Sequence, residues 1–90
     1  MHYVYLLYSR KASKFYIGET KDLRRRLFQH NAGESFSTKS GRPWEVVYYE
    51  AYMSKQAAQT RERRLKQYGK GLAQLKNRIG LDEWLKGAGE

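Results

Sequence analysis

The sequence predicts an α+β fold in which a small three-stranded antiparallel sheet is flanked by helices. Three segments, residues 2–8, 14–18 and 44–53, have the aromatic and β-branched composition of strands. The segments after the second and third strands carry apolar residues at helical spacing. Ninety residues are enough for one domain. We expect this domain to span residues 1–85, with residues 86–90 as a frayed tail.

The first predicted strand, residues 2–8, is apolar on both faces. Its odd-numbered residues from 3 to 7 would face one side and its even-numbered residues from 4 to 8 the other, and all six are aromatic or aliphatic. A strand that is covered on both faces belongs in the middle of a sheet. The polar residues 9–13 then turn the chain into the second strand, and a hairpin is the shortest connection.

Capping signals place the first helix. Thr20 or Asp22 would cap a helix that ends near Asn31, because Gly33 follows. Residues 34–43 are rich in small and polar residues and are predicted to form a loop.

The third strand, residues 44–53, leads into the remaining helices. Positions 46, 48 and 52 are expected on one face of this strand, alternating with positions 47 and 49. Ser54 would cap a helix to about Tyr68, which Gly69 and Gly71 interrupt. A third helix would reach Ile79, and a short last one from Asp82 would carry Trp84 and Leu85, which either close the core or mark a partner surface.

The positive charge is concentrated in two segments. The chain carries 18 basic and 9 acidic side chains, a formal net charge of +9. Residues 10–26 hold seven basic and two acidic side chains, and residues 61–78 hold seven basic and one acidic, so these segments carry +11 and the remainder −2. Clustering of this kind is typical of a protein that binds a phosphate backbone, although two solvated helix faces would have the same composition.

Several function classes are excluded. The absence of cysteine excludes a disulfide scaffold, a Cys-based zinc site and a thiol nucleophile. The apolar run at residues 4–8 is far shorter than the roughly 20 residues of a membrane span. Residues 16–20 contain one glycine and match no phosphate-binding loop. We expect a soluble, cytoplasmic, monomeric protein without membrane contact.

Few side chains in the sequence are candidates for chemistry. Glu62, the one acid of residues 61–78, would either pair with a neighbouring cation or bind a hard ion such as Mg²⁺. His30 lies one helical turn after Arg26, on the same face. Strand tyrosines are usually sheet-face residues, but Tyr5 and Tyr16, on adjacent strands, could both reach one phosphate site. Cations that lower the tyrosine pKa from about 10 would let one of them act as a general base.

The sequence Tyr3-Val4-Tyr5, followed after ten residues by Tyr16-Ile17-Gly18, resembles the paired signature of the GIY-YIG nuclease family. The resemblance continues with Lys21-Asp22-Leu23, with Arg26 eight residues beyond the second triplet, and with Arg61-Glu62 on the helix after the third strand. It covers about residues 2–79 and is strongest to the small single-domain bacterial members, which share a loop similar to residues 37–44.

The resemblance implies a metal-dependent DNA endonuclease that reads backbone shape rather than a long base sequence, with a role in repair or recombination. Glu62 would hold Mg²⁺ or Mn²⁺, Arg26 would contact the scissile phosphate, and His30 would shuttle a proton or contact phosphate. Tyr5 and Tyr16 are assigned jointly to the attacking water. The residues expected to contact nucleic acid are Lys21, Arg24, Arg25, Arg26, Lys39, Arg61, Lys66 and Asn77.

Two other functions stay open at this point. One is a nucleic-acid-binding module of the same fold that does not cut, or that acts on RNA. The other is a basic scaffold that docks on an acidic protein. The complete set of Tyr5, Tyr16, Arg26 and Glu62 favours the nuclease, because binding alone does not require these residues.

Overall fold

The computed structural model describes residues 1–67 and 69–88 of the chain. Within these residues, three strands form one antiparallel sheet in the order β2-β1-β3, surrounded by four α-helices and one 3-10 helix. The elements are, in chain order, β1 (His2–Ser9), β2 (Lys14–Thr20), α1 (Leu23–Asn31), the 3-10 helix (Phe36–Gly41), β3 (Glu45–Tyr52), α2 (Lys55–Gln67), α3 (Gly69–Arg78) and α4 (Leu81–Ala88). The predicted α+β fold with its three-stranded sheet is confirmed.

Strand β1 lies in the middle of the sheet and is covered on both faces, as predicted. Val4 and Leu6 pack on one face in a cluster completed by α2 and α3. Tyr5 and Leu7 pack on the opposite face with Trp44, and side chains of α1 cover them. The removal of these side chains from water on both faces stabilises the sheet, since burying one Leu or Val contributes about 1.5–3 kcal/mol.

The predicted alternation of β3 is wrong at its start because the strand contains a β-bulge. Leu6 pairs with Tyr48, but the next residue, Leu7, pairs with Val46, so Val47 has no partner on β1. Val47 and Tyr48 therefore pack on the same face, against the cluster of α2 and α3, while Val46 packs on the other. A strict period of two cannot reveal an inserted residue.

Both helix caps are formed by residues that the sequence singles out. Asp22 accepts a hydrogen bond from the backbone N–H of Arg25 at 3.1 Å and begins α1. Ser54 accepts one from the N–H of Ala57 at 3.1 Å and begins α2. Thr20, the alternative cap of α1, instead accepts from the N–H of Asp22 at 3.2 Å. The start of α1 is thus fixed directly before its arginine-rich first turn.

Three other expectations need correction. Residues 34–43 are not all loop, since they include the 3-10 helix. Gly69 and Gly71 follow the end of α2, as expected, but both lie in the first turn of α3. Helix α4 begins at Leu81, one residue before the expected start at Asp82, and is described to Ala88, while the frayed tail over residues 86–90 stays a prediction. Tyr68 and residues 89 and 90 lie outside the described part of the chain.

Trp84 on α4 is 39% exposed and lies beneath the guanidinium of Arg10, which is 4.6 Å from the ring centroid. It borders a cleft together with Val46 and Ile79, so it closes the core only in part. Among residues 1–67 and 69–88, no helix is both long enough and apolar enough to cross a membrane. The domain boundary at residue 85 and the monomeric state stay predictions.

Candidate active site

The two signature tyrosines lie side by side on the face of the sheet that packs against α1. Tyr5 of β1 is 2% exposed, and its ring centroid is 6.4 Å from that of Tyr16 on β2. Gly18 lies directly opposite Tyr5 in the hairpin register. A Cβ atom at residue 18 would overlap the phenol of Tyr5. The glycine of the second triplet therefore provides the space that the tyrosine of the first triplet occupies.

A chain of hydrogen bonds joins Tyr5 to the 3-10 helix through His30. The Tyr5 hydroxyl lies 2.9 Å from Nε2 of His30, and Nδ1 of His30 lies 2.7 Å from Oγ1 of Thr38. The Thr38 hydroxyl donates to the carbonyl of Ser35 at 3.4 Å, so it accepts from the Nδ1–H of His30. Nε2 is then the acceptor for the Tyr5 hydroxyl. His30 and Thr38 are both completely buried.

Burial shifts the pKa values of these two groups in opposite directions. Desolvation and, as a smaller effect, the nearby charge of Arg26 together lower the pKa of His30 to about 4. Desolvation raises the pKa of Tyr5 to about 12, against a smaller opposing effect of Arg26. At neutral pH the pair is therefore a neutral phenol that donates to a neutral imidazole.

Arg26 brings a positive charge to both tyrosine hydroxyls. Hydrogen bonding to the Tyr5 hydroxyl is the main effect that raises the pKa of Arg26, and Tyr16 adds a smaller contribution. The guanidinium is steadied by its own helix, since Nη1 donates to Oε1 of Gln29 at 3.1 Å. Because Arg26 is half-buried beside two phenols, its fork of donors is available to an anion that enters there.

Helix α2 contributes Glu62 and Lys66 to the same place. The negative charge of Glu62 makes a small contribution to the raised pKa of Tyr5. Lys66 lies one turn further along α2, with Nζ 3.7 Å from Oε1 of Glu62 and 5.9 Å from the ring centroid of Tyr16. The sequence allowed Arg61, Arg63 or Lys66 as the partner of Glu62, and in the described part of the chain it is Lys66 that pairs with it.

The side chains around Glu62 suit a divalent ion that takes few of its ligands from the protein. Across residues 1–67 and 69–88, no group of three or more His, Cys, Asp or Glu side chains could enclose a metal. Mg²⁺ commonly binds through one or two carboxylates, with waters and substrate phosphates as the other ligands. Glu62, whose side chain is 21% exposed beside Lys66, suits that mode and does not suit a site built from protein ligands alone.

The residues predicted to contact nucleic acid divide into two groups. Lys21, Arg24 and Arg25 are exposed at the start of α1, Lys39 is exposed on the 3-10 helix, and Lys66 is exposed beside Tyr16.

Arg61 and Asn77 are placed differently. Arg61 binds Glu50 of β3 with two hydrogen bonds, of 3.0 and 3.1 Å, so its guanidinium is committed to the sheet. Asn77 is exposed near the end of α3, and no hydrogen bond within the described residues joins its side chain to the tyrosines.

Three residues of the site escaped sequence reasoning. Thr38 and Trp44 are linked to each other by a hydrogen bond from the indole N–H to the Thr38 carbonyl at 2.7 Å, and the Trp44 ring lies 6.4 Å from that of Tyr16. Gly18 was noted only as part of the second triplet. The one available signal was the loop at residues 37–44, which contains both Thr38 and Trp44 but whose contacts follow no periodicity.

The model of the GIY-YIG catalytic domain matches residues 1–77, which include every residue described above. The chain belongs to the GIY-YIG family. This is a nuclease family, and the resemblance of the two triplets is thereby confirmed.

The GIY-YIG chain is also similar to small proteins that carry the name UPF0213. It is 37% identical over 82 residues to a UPF0213 protein of Haloquadratum walsbyi, an alignment that covers 90% of this chain and 91% of the relative. It is 39% identical over 83 residues to one from Natronomonas pharaonis, covering 91% and 93%. These relatives match the GIY-YIG chain over nearly their whole length.

A solved structure supports the same fold for the GIY-YIG chain. The solution NMR structure of a UPF0213 protein from Bacillus halodurans superposes with a TM-score of 0.51 at 32% sequence identity. The superposition covers 83% of this chain and 84% of that one. The arrangement of sheet and helices is thus shared across the domain.

Proposed function

We propose that this GIY-YIG protein is an endonuclease that hydrolyses phosphodiester bonds with the help of a divalent ion. The observation that carries the proposal is the convergence of Tyr5, Tyr16, Arg26, His30 and Glu62 from four separate elements. A module that only binds nucleic acid gains little from a buried tyrosine–histidine pair next to a guanidinium and a carboxylate. Hydrolysis uses each of these groups.

Arg26 binds the reacting phosphate in this proposal. Negative charge on the phosphoryl oxygens rises as water adds, and a planar guanidinium stabilises that charge with two parallel hydrogen bonds. The guanidinium is oriented by its hydrogen bond to Gln29, and both tyrosines are close enough to raise its pKa, so little reorganisation is needed when substrate enters. The removal of one such preorganised donor typically costs about 2.7–4 kcal/mol of transition-state stabilisation.

Tyr5 and His30 take the proton of the attacking water. The Tyr5 oxygen donates to Nε2 of His30 at 2.9 Å and keeps a lone pair for a proton from water. As the water oxygen bonds to phosphorus, its proton passes to Tyr5 while the proton of Tyr5 passes to His30, and the bond from phosphorus to the leaving oxygen breaks. Tyr16, on the neighbouring strand, orients the water or a phosphate oxygen. Burial keeps the imidazole of His30 neutral at physiological pH, which leaves the Nε2 lone pair free for this proton, and the same burial makes His30 a weak base.

Glu62 is the residue that would hold Mg²⁺ or Mn²⁺. When bound, the ion supplies positive charge that stabilises the phosphoryl oxygens and the leaving oxygen. Lys66, with Nζ 3.7 Å from Oε1 of Glu62, pairs with this carboxylate. Its charge also favours the approach of a phosphate.

The substrate that fits best is DNA, bound through its backbone in the cytoplasm, with repair or recombination as the process served. Exposed cations lie at the start of α1, and Lys66 on α2 lies 5.9 Å from the Tyr16 ring centroid. A polyanion would contact both groups, with an affinity that falls steeply with salt. Backbone contacts carry no sequence information, so cleavage would follow strand structure rather than a long base sequence.

The test is a cleavage assay on plasmid, single-stranded and branched DNA and on RNA, in Mg²⁺, Mn²⁺ or EDTA. Wild type is expected to cut at least one DNA substrate with either metal and none in EDTA. Glu62→Gln should abolish cleavage but retain binding, whereas Glu83→Gln, a change of an exposed acid on α4, should leave cleavage intact. If only RNA is cut, the alternative of an RNA-directed protein holds. If nothing is cut, the nuclease proposal is wrong.

A further inference from the structure

A cavity lined by basic side chains opens beside the 3-10 helix, apart from the two tyrosines. Its volume is about 820 Å³, and the residues that line it include Lys11, Lys39, Arg42 and the aromatic ring of Phe36. No carboxylate lines it, so no acidic side chain of the lining neutralises the three cations that face this space. Pockets that take ligands of nucleotide size have volumes of roughly 300–1,000 Å³.

Phe36 is presented to solvent on a rigid support. The ring is 95% exposed, although the helix that carries it is held tightly from behind. The Gly41 carbonyl accepts from the hydroxyl of Ser9 at 2.5 Å, and the Thr38 carbonyl accepts from the indole of Trp44 at 2.7 Å. The backbone beneath the ring is therefore held before a ligand arrives, and stacking has to order only the two side-chain torsions of Phe36.

Arg42 is also fixed before any ligand arrives. Its Nε donates to the carbonyl of Lys39 at 2.8 Å. Its guanidinium lies against Gly33, where a Cβ atom would be 2.6 Å from Nη1 and where φ is +80°, a conformation that favours glycine. The remaining donors of this guanidinium are oriented for an anion.

The chemistry that matches both features is a nucleotide whose base is unpaired. Cations bind its phosphates, and an exposed aromatic ring binds the face of a base. In a duplex that face is covered by neighbouring base pairs and is not available for stacking. A base-paired strand would therefore bind to the cations alone, through its phosphates.

We infer that Phe36, with Lys11, Lys39 and Arg42, forms a subsite that binds an unpaired nucleotide of the nucleic acid on which the enzyme acts. This inference rests on the proposed function and specifies its substrate class as single-stranded or locally unpaired nucleic acid. The subsite adjoins the catalytic residues through the 3-10 helix, because Thr38, two residues after Phe36, binds His30. A strand held on Phe36 is thus anchored next to the helix that carries Arg26.

The test measures binding in EDTA, so that cleavage plays no part. Labelled single-stranded DNA, single-stranded RNA and duplex DNA of equal length are titrated by fluorescence anisotropy with wild type, Phe36→Ala, Phe36→Leu and Phe28→Ala. Phe28 is the matched control, since it is 70% exposed on α1 and does not line the cavity. Loss of one stacked base is expected to weaken single-strand binding by Phe36→Ala about tenfold, within the range measured for such contacts.

The two Phe36 variants should bind duplex within twofold of wild type, and Phe28→Ala should bind every ligand within twofold. The sugar preference is read from the DNA and RNA arms, and a tenfold loss in either arm supports the subsite. Unchanged single-strand binding by Phe36→Ala, an equal loss for duplex, or an equal loss in Phe28→Ala would overturn it. A wild type that binds as expected but cuts nothing would reject the nuclease proposal and leave the subsite standing.

Discussion

The hydroxyl of Tyr5 lies 2.9 Å from Nε2 of His30, and both side chains are buried in the protein interior. The pKa of Tyr5 is raised to about 12 and that of His30 is lowered to about 4, so the proton stays on the tyrosine at neutral pH. The lone pair of the histidine is thereby kept available. A tyrosine in this state serves as a base only if it passes its own proton to His30 during the reaction.

The lowered pKa of His30 makes stability depend on pH. The unfolded chain binds a proton at residue 30 near pH 6.5, whereas the folded protein binds it only near pH 4. The resulting stability is therefore complete above pH 6.5 and is lost as the pH falls from there towards 4. We expect the free energy of unfolding to drop by about 2 kcal/mol between pH 7 and pH 5, measured by urea denaturation.

Two measurements check whether His30 causes this pH dependence of stability. The NMR titration of the His30 ring should give a pKa far below 6, and His30→Gln should flatten the decline between pH 7 and pH 5, whatever its absolute stability. His2→Gln should retain the decline. A wild-type protein equally stable at both pH values would contradict the assignment.

Gly18→Ala tests the space that Tyr5 requires. A Cβ atom at residue 18 would overlap the Tyr5 phenol, so the ring must move or the strands must separate. Overpacking of this kind typically costs about 1–3 kcal/mol, and displacement of the hydroxyl should reduce cleavage as well. Gly71→Ala, on α3 where a Cβ atom meets nothing within 4 Å, is the control and should stabilise the protein by roughly 0.5–1 kcal/mol. Equal stability of Gly18→Ala and wild type in a urea titration would refute the packing argument.

The pairing of Arg61 with Glu50 gives a third prediction. Glu50 accepts two hydrogen bonds from Arg61 and also accepts the hydroxyls of Tyr48 and Tyr52, at a half-buried position between β3 and α2. We expect Arg61→Gln and Glu50→Gln each to destabilise the protein by about 1–3 kcal/mol, between the values for exposed and buried pairs. In the double variant the losses should be less than additive. Additive losses would mean that the two side chains stabilise the fold independently.

The same pairing separates structural from nucleic-acid-binding arginines. Arg25 is exposed on α1, so Arg25→Gln should lower the slope of log affinity for DNA against log salt by about 1. Arg61→Gln should leave the slope unchanged, because its guanidinium is already neutralised by Glu50. If Arg61→Gln lowers the slope as much as Arg25→Gln does, the original expectation that Arg61 contacts nucleic acid is correct.

Much of the fold could be predicted because local patterns determine it. The two apolar faces of β1 indicate a central strand, and Asp22 and Ser54 cap helices as their side-chain chemistry requires. The bulge at Val47 was not predictable, since it depends on how β3 pairs with β1 rather than on its own sequence.

In the site, too, local patterns could be predicted and contacts between distant segments could not. The triplets place Tyr5 and Tyr16 on adjacent strands, and helical spacing places Arg26 and His30 on one face. The contact between His30 and Thr38 was missed because it crosses a loop, where spacing along the chain has no fixed relation to distance. The pairing of Arg61 with Glu50 was not predicted, because this partner is chosen by the packing of α2 against β3.

The most direct test of the account is single-turnover cleavage by Tyr5→Phe, compared with Tyr3→Phe on the same face of β1. Tyr3 packs edge-on against Tyr49 with ring centroids 6.0 Å apart and has no part in the proposed reaction. With a DNA substrate that wild type cuts, Tyr5→Phe should be slower by roughly 10²–10⁴-fold with binding retained, and Tyr3→Phe should cut at close to the wild-type rate. Cleavage by folded Tyr5→Phe at the wild-type rate would contradict the central claim.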